Sequence, residues 1–206
     1  CALPIYRGLA AGLTLAVLAW DGVALAVFAV GDQLKSDAAQ TVSALVDMGI
    51  TPWLVTGDSS EVAATVAQTV GIDAAHVISH ALPETKLEIV ERLKSEGHTV
   101  LMIGDGINDA AALTAAHLSM AMGTGTDTAI NSADITLMNS GLGSVVSALK
   151  LSTKTLKIIR INMGWALIYN VIGIPIAAAG LLSPLYAAAA MAASSVLVVT
   201  NSLRIK

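Results

Sequence analysis

Residues 100–113 read Val-Leu-Met-Ile-Gly-Asp-Gly-Ile-Asn-Asp-Ala-Ala-Ala-Leu. Val100 to Ile103 form an unbroken apolar run, as expected of a short buried strand. Gly104 and Gly106 let the chain turn tightly at the carboxyl end of that strand. Asp105 is then free at the strand end, and Asp109 lies one helical turn on, where an alanine-rich helix begins. Two carboxylates so placed suit hard Mg2+, which screens phosphoryl oxygens and polarises them for attack. The plainer alternative is a pair of aspartates that caps a helix.

The segments around this stretch repeat its pattern. Residues 22–31 read as the end of a turn and a strand, and 37–48 as a helix closed by Gly49. Thr51 to Val55 fits a buried strand leading into Thr56-Gly57-Asp58, followed by a helix over 60–70 closed by Gly71. A short strand is expected near 76–78. Pro83-Glu84 opens a helix that reaches about Ser95, and strands recur near 118–122 and 135–137. This alternation predicts an α/β, doubly wound sheet with ligand groups at the carboxyl ends of its strands. Thr56, Gly57 and Asp58 bring a hydroxyl and backbone N–H groups to that edge. Lys86, near the start of the third helix, brings a cation able to hold a phosphoryl group. Three elements converging on one edge favour a phosphoryl-transfer site over helix capping. His76, His80, His98 and His117 show no metal-binding spacing.

Charge divides the chain differently. All 15 acidic residues lie at or before Asp134, and 161–203 contains no Asp, Glu, Lys, Arg or His. Divided at Gly180-Leu-Leu-Ser-Pro184, this stretch gives two 19-residue segments, 161–179 and 185–203. Each is long enough to cross a hydrocarbon core of about 30 Å as a helix. Lys154, Lys157 and Arg160 flank the first segment, and Arg204 and Lys206 the second. This arrangement predicts an integral, multi-pass membrane protein with both ends of the hairpin cytoplasmic. The membrane expected is a plasma or inner membrane, which the charges themselves do not select. A helix beginning near Gly143-Ser144 is expected to run unbroken into the first span as a rigid link. Pro175 and Pro184 are expected to kink or end the helices around them.

The net charge of -4, without a basic cluster, excludes a nucleic-acid partner. Cys1 is the only cysteine, so no internal disulfide is expected. The start, which is not Met and has no signal-peptide pattern, is read as that of an excerpt. Within the spans, Asn162, Tyr169, Asn170, Ser194, Ser195, Asn201 and Ser202 are polar. Met191 and Ser195 share a helix face, and a thioether favours Cu(I). Equally, Met fills gaps, and Ser and Asn join membrane helices.

Thr56-Gly57-Asp58, Pro83 to Lys86, Gly104 to Asp109 with its Ala-Ala-Ala-Leu113 tail, Met122 to Ala129 and Ala133 to Ile135 resemble the phosphorylation domain of P-type ATPases. That domain has a haloacid-dehalogenase-type fold, here incomplete. Tyr169-Asn170 with Gly-Ile-Pro-Ile-Ala-Ala, and Met191 to Ser195 with Asn201-Ser-Leu-Arg204, resemble the last two helices of the copper(I)-transporting, heavy-metal group. The resemblance implies Mg2+ on Asp105, with Asp109 and Asn108 supporting the metal and phosphate network and Thr56 and Lys86 on the phosphoryl group. Gly104, Gly106, Thr124 and Gly125 would shape the cleft, and Tyr169, Asn170, Met191 and Ser195 would meet Cu(+).

The resemblance further implies ATP as substrate, Cu(+) as cargo and export as direction. Implied partners are the missing amino-terminal part of the same pump, the lipid bilayer and a copper chaperone. Residues 1–30 would be the tail of a nucleotide-binding region, 31–142 the phosphorylation domain, and 143–206 the linking helix and hairpin. The family's phosphorylated Asp sits in Asp-Lys-Thr-Gly-Thr, which does not occur here. Alone, this stretch is expected to be inactive. A membrane-anchored phosphatase of the same fold and a non-catalytic partner of a complete pump are the alternatives.

Overall fold

The computed structural model describes residues 14–30, 33–123, 125–139, 141–181 and 183–205. The chain divides into two units, one ending at Val146 and one beginning at Ser147. Cys1, Thr124 and Lys206, each given a role above, lie outside the described residues.

The first unit opens with an antiparallel hairpin of β1 (Thr14–Trp20) and β2 (Val23–Val30). Asp21 and Gly22 both take positive φ at its two-residue turn, the geometry such hairpins require. The strand expected over 22–31 is β2; its partner β1 was not anticipated. Helix α1 (Ala38–Asp47) turns Ala38, Thr41, Val42 and Leu45 inward along one face. Helix α2 (Ser60–Val70) buries Ala63, Ala67 and Val70. Its Ser59 Oγ accepts from Val62 N, and Gly71 closes it with a φ of 83°.

Strands β3 (Leu54–Val55) and β4 (Val77–Ile78) pair in parallel, and α3 (Pro83–Ser95) follows. A second parallel sheet has the order β5 (Leu101–Gly104), β6 (Leu118–Met122), β7 (Ile135–Leu137). Helices α4 (Ala110–Ala115) and α5 (Asp127–Ser132) join these strands. The α/β class is as expected, but the single sheet is not: no ladder joins β3–β4 to β5–β7 among the described residues. The strand expected over 51–55 also shrinks to two residues, because Pro52 has no N–H for a ladder. Strand β6, paired on both sides, is buried from Ser119 to Met122.

Ser119 is a buried hydroxyl and is fully satisfied. Its N and Oγ each donate to Asp134 Oδ2 at 2.8 Å, and Asp134 N donates back to Ser119 Oγ at 3.0 Å. The Ser119 hydroxyl, then its backbone N–H, hold the Asp134 carboxyl below the usual aspartate range.

Helix α6 runs from Gly143 to Ala178, 36 residues, and α7 from Pro184 to Ser202. Within the first unit, Asp37 Oδ2 accepts from Gly143 N at 2.8 Å and so caps the start of α6. Both helices are long and apolar enough to cross a membrane, and none of either apolar window is buried. That exposure separates them from the core helix of a globular domain. Pro184 starts α7 in its first turn, where a missing N–H costs nothing. Pro175 lies inside the last turn of α6, which continues to Ala178, with Ala179 N donating to Pro175 O.

Candidate functional site

At the end of β5 the chain folds back on itself. Asp109 is buried, and its Oδ1 accepts from Lys86 Nζ at 2.6 Å, with only 16% and 10% of the two side chains exposed. Gly106 N approaches Asp109 Oδ2 at 3.4 Å. A Cβ on Gly104 would lie 2.8 Å from Asp109 Cβ, so only glycine lets the aspartate fold under the strand end. The loop after β6 closes over the same turn. Thr126 N donates to Asp105 O at 2.9 Å, and a Cβ on Gly125 would meet Asp105 O at 2.6 Å. Asp105 and Asn108 remain exposed.

Thr56, Gly57 and Asp58 form a separate turn at the end of β3. Thr56 Oγ1 donates to Asp58 Oδ2 at 2.6 Å, and Asp58 N donates to Thr56 Oγ1 at 3.2 Å. This turn is tied to the segment leading into α3: Ala81 N donates to Thr56 O, and His80 N to Asp58 O. Lys86 stands on that helix, so the turn and the Lys86–Asp109 pair are two steps of one chain of contacts. No hydrogen bond joins Thr56 or Asp58 to Asp105 or Asp109 among the described residues.

The residues assigned to copper behave otherwise. Asn170 Nδ2 donates to Ala166 O, and Ser195 Oγ donates to Met191 O, each bond within its own helix. Tyr169 packs against Trp165, ring centroids 6.4 Å apart, and Met191 is 76% exposed. Among the described residues no hydrogen bond joins the side chains of these four to one another. Among the described residues no group of three or more His, Cys, Asp or Glu side chains could hold a metal ion.

The sequence profile of the haloacid dehalogenase-like hydrolases matches residues 6–117, more than half of the chain. The chain belongs to that family. The similarity continues through the hairpin. Over 199 residues it is 50% identical to a cation-transporting P-type ATPase B of Mycobacterium leprae, covering 97% of this chain and 26% of the relative. A copper-exporting P-type ATPase of Mycobacterium tuberculosis is 50% identical over 95% of this chain and 25% of the relative. A probable copper-importing P-type ATPase A of Enterococcus hirae is 48% identical over 94% and 26%. Among solved structures, a zinc-transporting PIB-type ATPase in its E2.Pi state superposes with a TM-score of 0.84 at 33% identity. That match covers 99% of this chain and 33% of the solved one. The chain therefore spans about a quarter of the length of the curated relatives it matches, and those relatives are P-type ATPases. With its two apolar helices, it is part of a membrane protein.

The two aspartates differ in setting. Asp109 is neutralised by Lys86, whereas Asp105 presents an exposed carboxylate at the strand end. Mg2+ is held by one or two carboxylates, with water and phosphate completing its shell, so this donor set fits it. Three features escaped sequence reading: the Lys86–Asp109 pair, the backbone bond from Thr126 to Asp105, and the Asp37 cap on α6. The first two join elements 23 and 21 residues apart and the third bridges 106, distances over which local patterns carry no signal.

Proposed function

We propose that this chain is the part of an ATP-driven copper(I) exporter that holds Mg2+ and the transferred phosphoryl group and supplies two membrane helices. The observation that carries the reading is the exposed Asp105 beside the enclosed Lys86–Asp109 pair, in a chain whose similarity to P-type ATPases extends through both apolar helices. Mg2+ on Asp105 would screen the phosphoryl oxygens and draw charge from phosphorus during attack. Lys86 would then share its charge between Asp109 and the incoming phosphoryl group. Asp109 would hold the ammonium in place beforehand, so that little reorganisation is needed. Thr56, with its hydroxyl turned by Asp58, and the N–H groups of Gly57 and Asp58 would contact the phosphoryl oxygens. Asn108 would support the metal and phosphate network, and Gly104, Gly106, Thr124 and Gly125 would let the backbone close on it.

The nucleophile would be an aspartate in the remainder of the full-length polypeptide, attacking the γ-phosphorus of ATP with ADP leaving. Water would later cleave the aspartyl phosphate. Tyr169, Asn170, Met191 and Ser195 would contribute to the copper path, completed by other helices of the same pump. The bilayer and a copper chaperone would be its partners, and the phosphorylation domain would be cytoplasmic. Without the rest of the polypeptide the chain would be inactive.

A membrane-anchored phosphatase is the second reading, favoured by the hydrolase profile over residues 6–117. The two differ in one result. In membranes carrying the full-length protein, the pump forms an acid-stable phosphoenzyme from labelled ATP that Cu(I) stimulates. A phosphatase would form none from ATP, and its turnover would be indifferent to copper.

A further inference from the structure

One group of polar side chains in the hairpin bonds across helices. Asn162 Nδ2 donates to Ser202 Oγ at 2.9 Å, Asn162 Oδ1 accepts from Asn201 Nδ2 at 2.8 Å, and Ser202 Oγ donates to Val198 O at 2.8 Å. Both ends of one amide on α6 are thus engaged by neighbouring residues of α7. Asn162, Asn201 and Ser202 are all half-buried. By contrast, Asn170, Ser195 and Thr200 bind carbonyls of their own helix. Apolar faces of two membrane helices have little preference among neighbouring registers, because lipid is as apolar as they are. A directional bond at each end of an amide removes that freedom.

We propose that Asn162 is a positioning residue that fixes the register of α6 against α7, and so sets the depth at which Tyr169 and Asn170 stand relative to Ser194 and Ser195. The proposal rests on the transport reading for its consequence, but not for its geometry. Seven residues along α6 from Asn162 lies Tyr169, and seven back along α7 from Asn201 lies Ser194. At 1.5 Å per residue both are about 10 Å from the clamp. The partly covered residues follow the same alignment: Asn162, Tyr169 and Gly173 on α6, and Ala187, Ser194, Val198 and Asn201 on α7. A slip of one helical turn would separate the two polar levels by about 5.4 Å, enough to spoil any shared coordination.

The test uses the full-length protein in membranes. Ile176→Cys with Ala187→Cys pairs positions 14 residues from Asn162 and from Asn201, and Ile176→Cys with Ala190→Cys reports a displaced register. Disulfide formation is read by protection from a maleimide, against each single-cysteine control. In the parent, 176–187 links in preference to 176–190. Asn162→Leu should lower the 176–187 link at least twofold and raise the 176–190 link. The same variant, without added cysteines, should raise the metal concentration for half-maximal ATPase about fivefold, with the maximal rate changed less than twofold. The exchange Asn162→Ser with Ser202→Asn restores an amide–hydroxyl pair across the helices and should return both readouts towards the parent.

Unchanged linking in Asn162→Leu overturns the register role. Altered linking with an unchanged half-maximal concentration overturns the positioning role. A parent without metal-stimulated turnover overturns the transport reading and this consequence with it, a failure visible before any substitution at Asn162 is made.

Discussion

The two ends of the molecule use polar groups in opposite ways. In the α/β unit, polar side chains find partners from other elements: past the carboxyl end of β5, Lys86 of α3 meets Asp109, and at the opposite edge of that sheet Ser119 of β6 meets Asp134 ahead of β7. In the apolar hairpin, Asn170 and Ser195 satisfy themselves on carbonyls four residues back, leaving their side chains uncommitted to a neighbour. The first arrangement holds its groups in place without a ligand, as the proposed phosphoryl site requires of Lys86 and Asp109. The second leaves Asn170 and Ser195 bound within their own helices, and the proposed copper path would need further helices to complete it. Asn162 stands between these cases, committed across helices but within one hairpin.

The largest effect is expected for Asp105→Ala in the full-length protein, where phosphoenzyme formation should fall at least about 100-fold, because several kcal/mol of charge stabilisation leave with the metal. A fall of less than tenfold, by labelled-phosphate incorporation, would remove Asp105 from the metal role. Next is Lys86→Met, which leaves Asp109 enclosed without its cation and should destabilise the domain by about 3–5 kcal/mol. Adding Asp109→Asn should recover part of that loss in denaturant unfolding. No recovery would mean that the pair is not coupled.

Gly125→Ala should cost about 1–3 kcal/mol through backbone shifts, since its Cβ would meet the Asp105 carbonyl at 2.6 Å. Unchanged stability would show that the loop after β6 moves freely. A smaller effect is expected from acid. Asp134 has its folded value depressed, so the contribution of its Ser119 bonds is full above the ordinary aspartate range. It is lost as pH falls through that range and below it. Asp134→Asn should lower stability at neutral pH and flatten the acid limb of the pH–stability curve; an unaltered limb would contradict the assignment. Smallest of all should be Ser195→Ala, whose bond lies within one helix. We expect a stability change below about 0.6 kcal/mol, the mean for hydrogen bonds between membrane helices.

Much of the α/β unit was legible because its decisive signals are local. Gly104, Gly106 and the apolar run before them mark a strand and a turn wherever they occur, and Gly49, Gly71 and Gly97 all follow helices with positive φ. The spans were legible from the absence of charge alone. What stayed hidden depends on separate segments meeting. Nothing around Asp37 announces that it caps a helix 106 residues later, and nothing around Lys86 names Asp109 as its partner. The break between β3–β4 and β5–β7 was hidden for the same reason, since each strand reads as ordinary sheet by itself. In the spans, Asn162 and Asn170 are the same residue type on one helix. Only the structure separates the one that crosses to α7 from the one that does not.

The most direct test of the central claim is phosphorylation of the full-length protein in membranes by γ-labelled ATP, with and without Cu(I), in parent and Asp105→Ala forms. The account predicts an acid-stable, hydroxylamine-sensitive label that rises with Cu(I) in the parent and is lost in the variant. A parent that never takes up label, or a variant that labels as well as the parent, would contradict it.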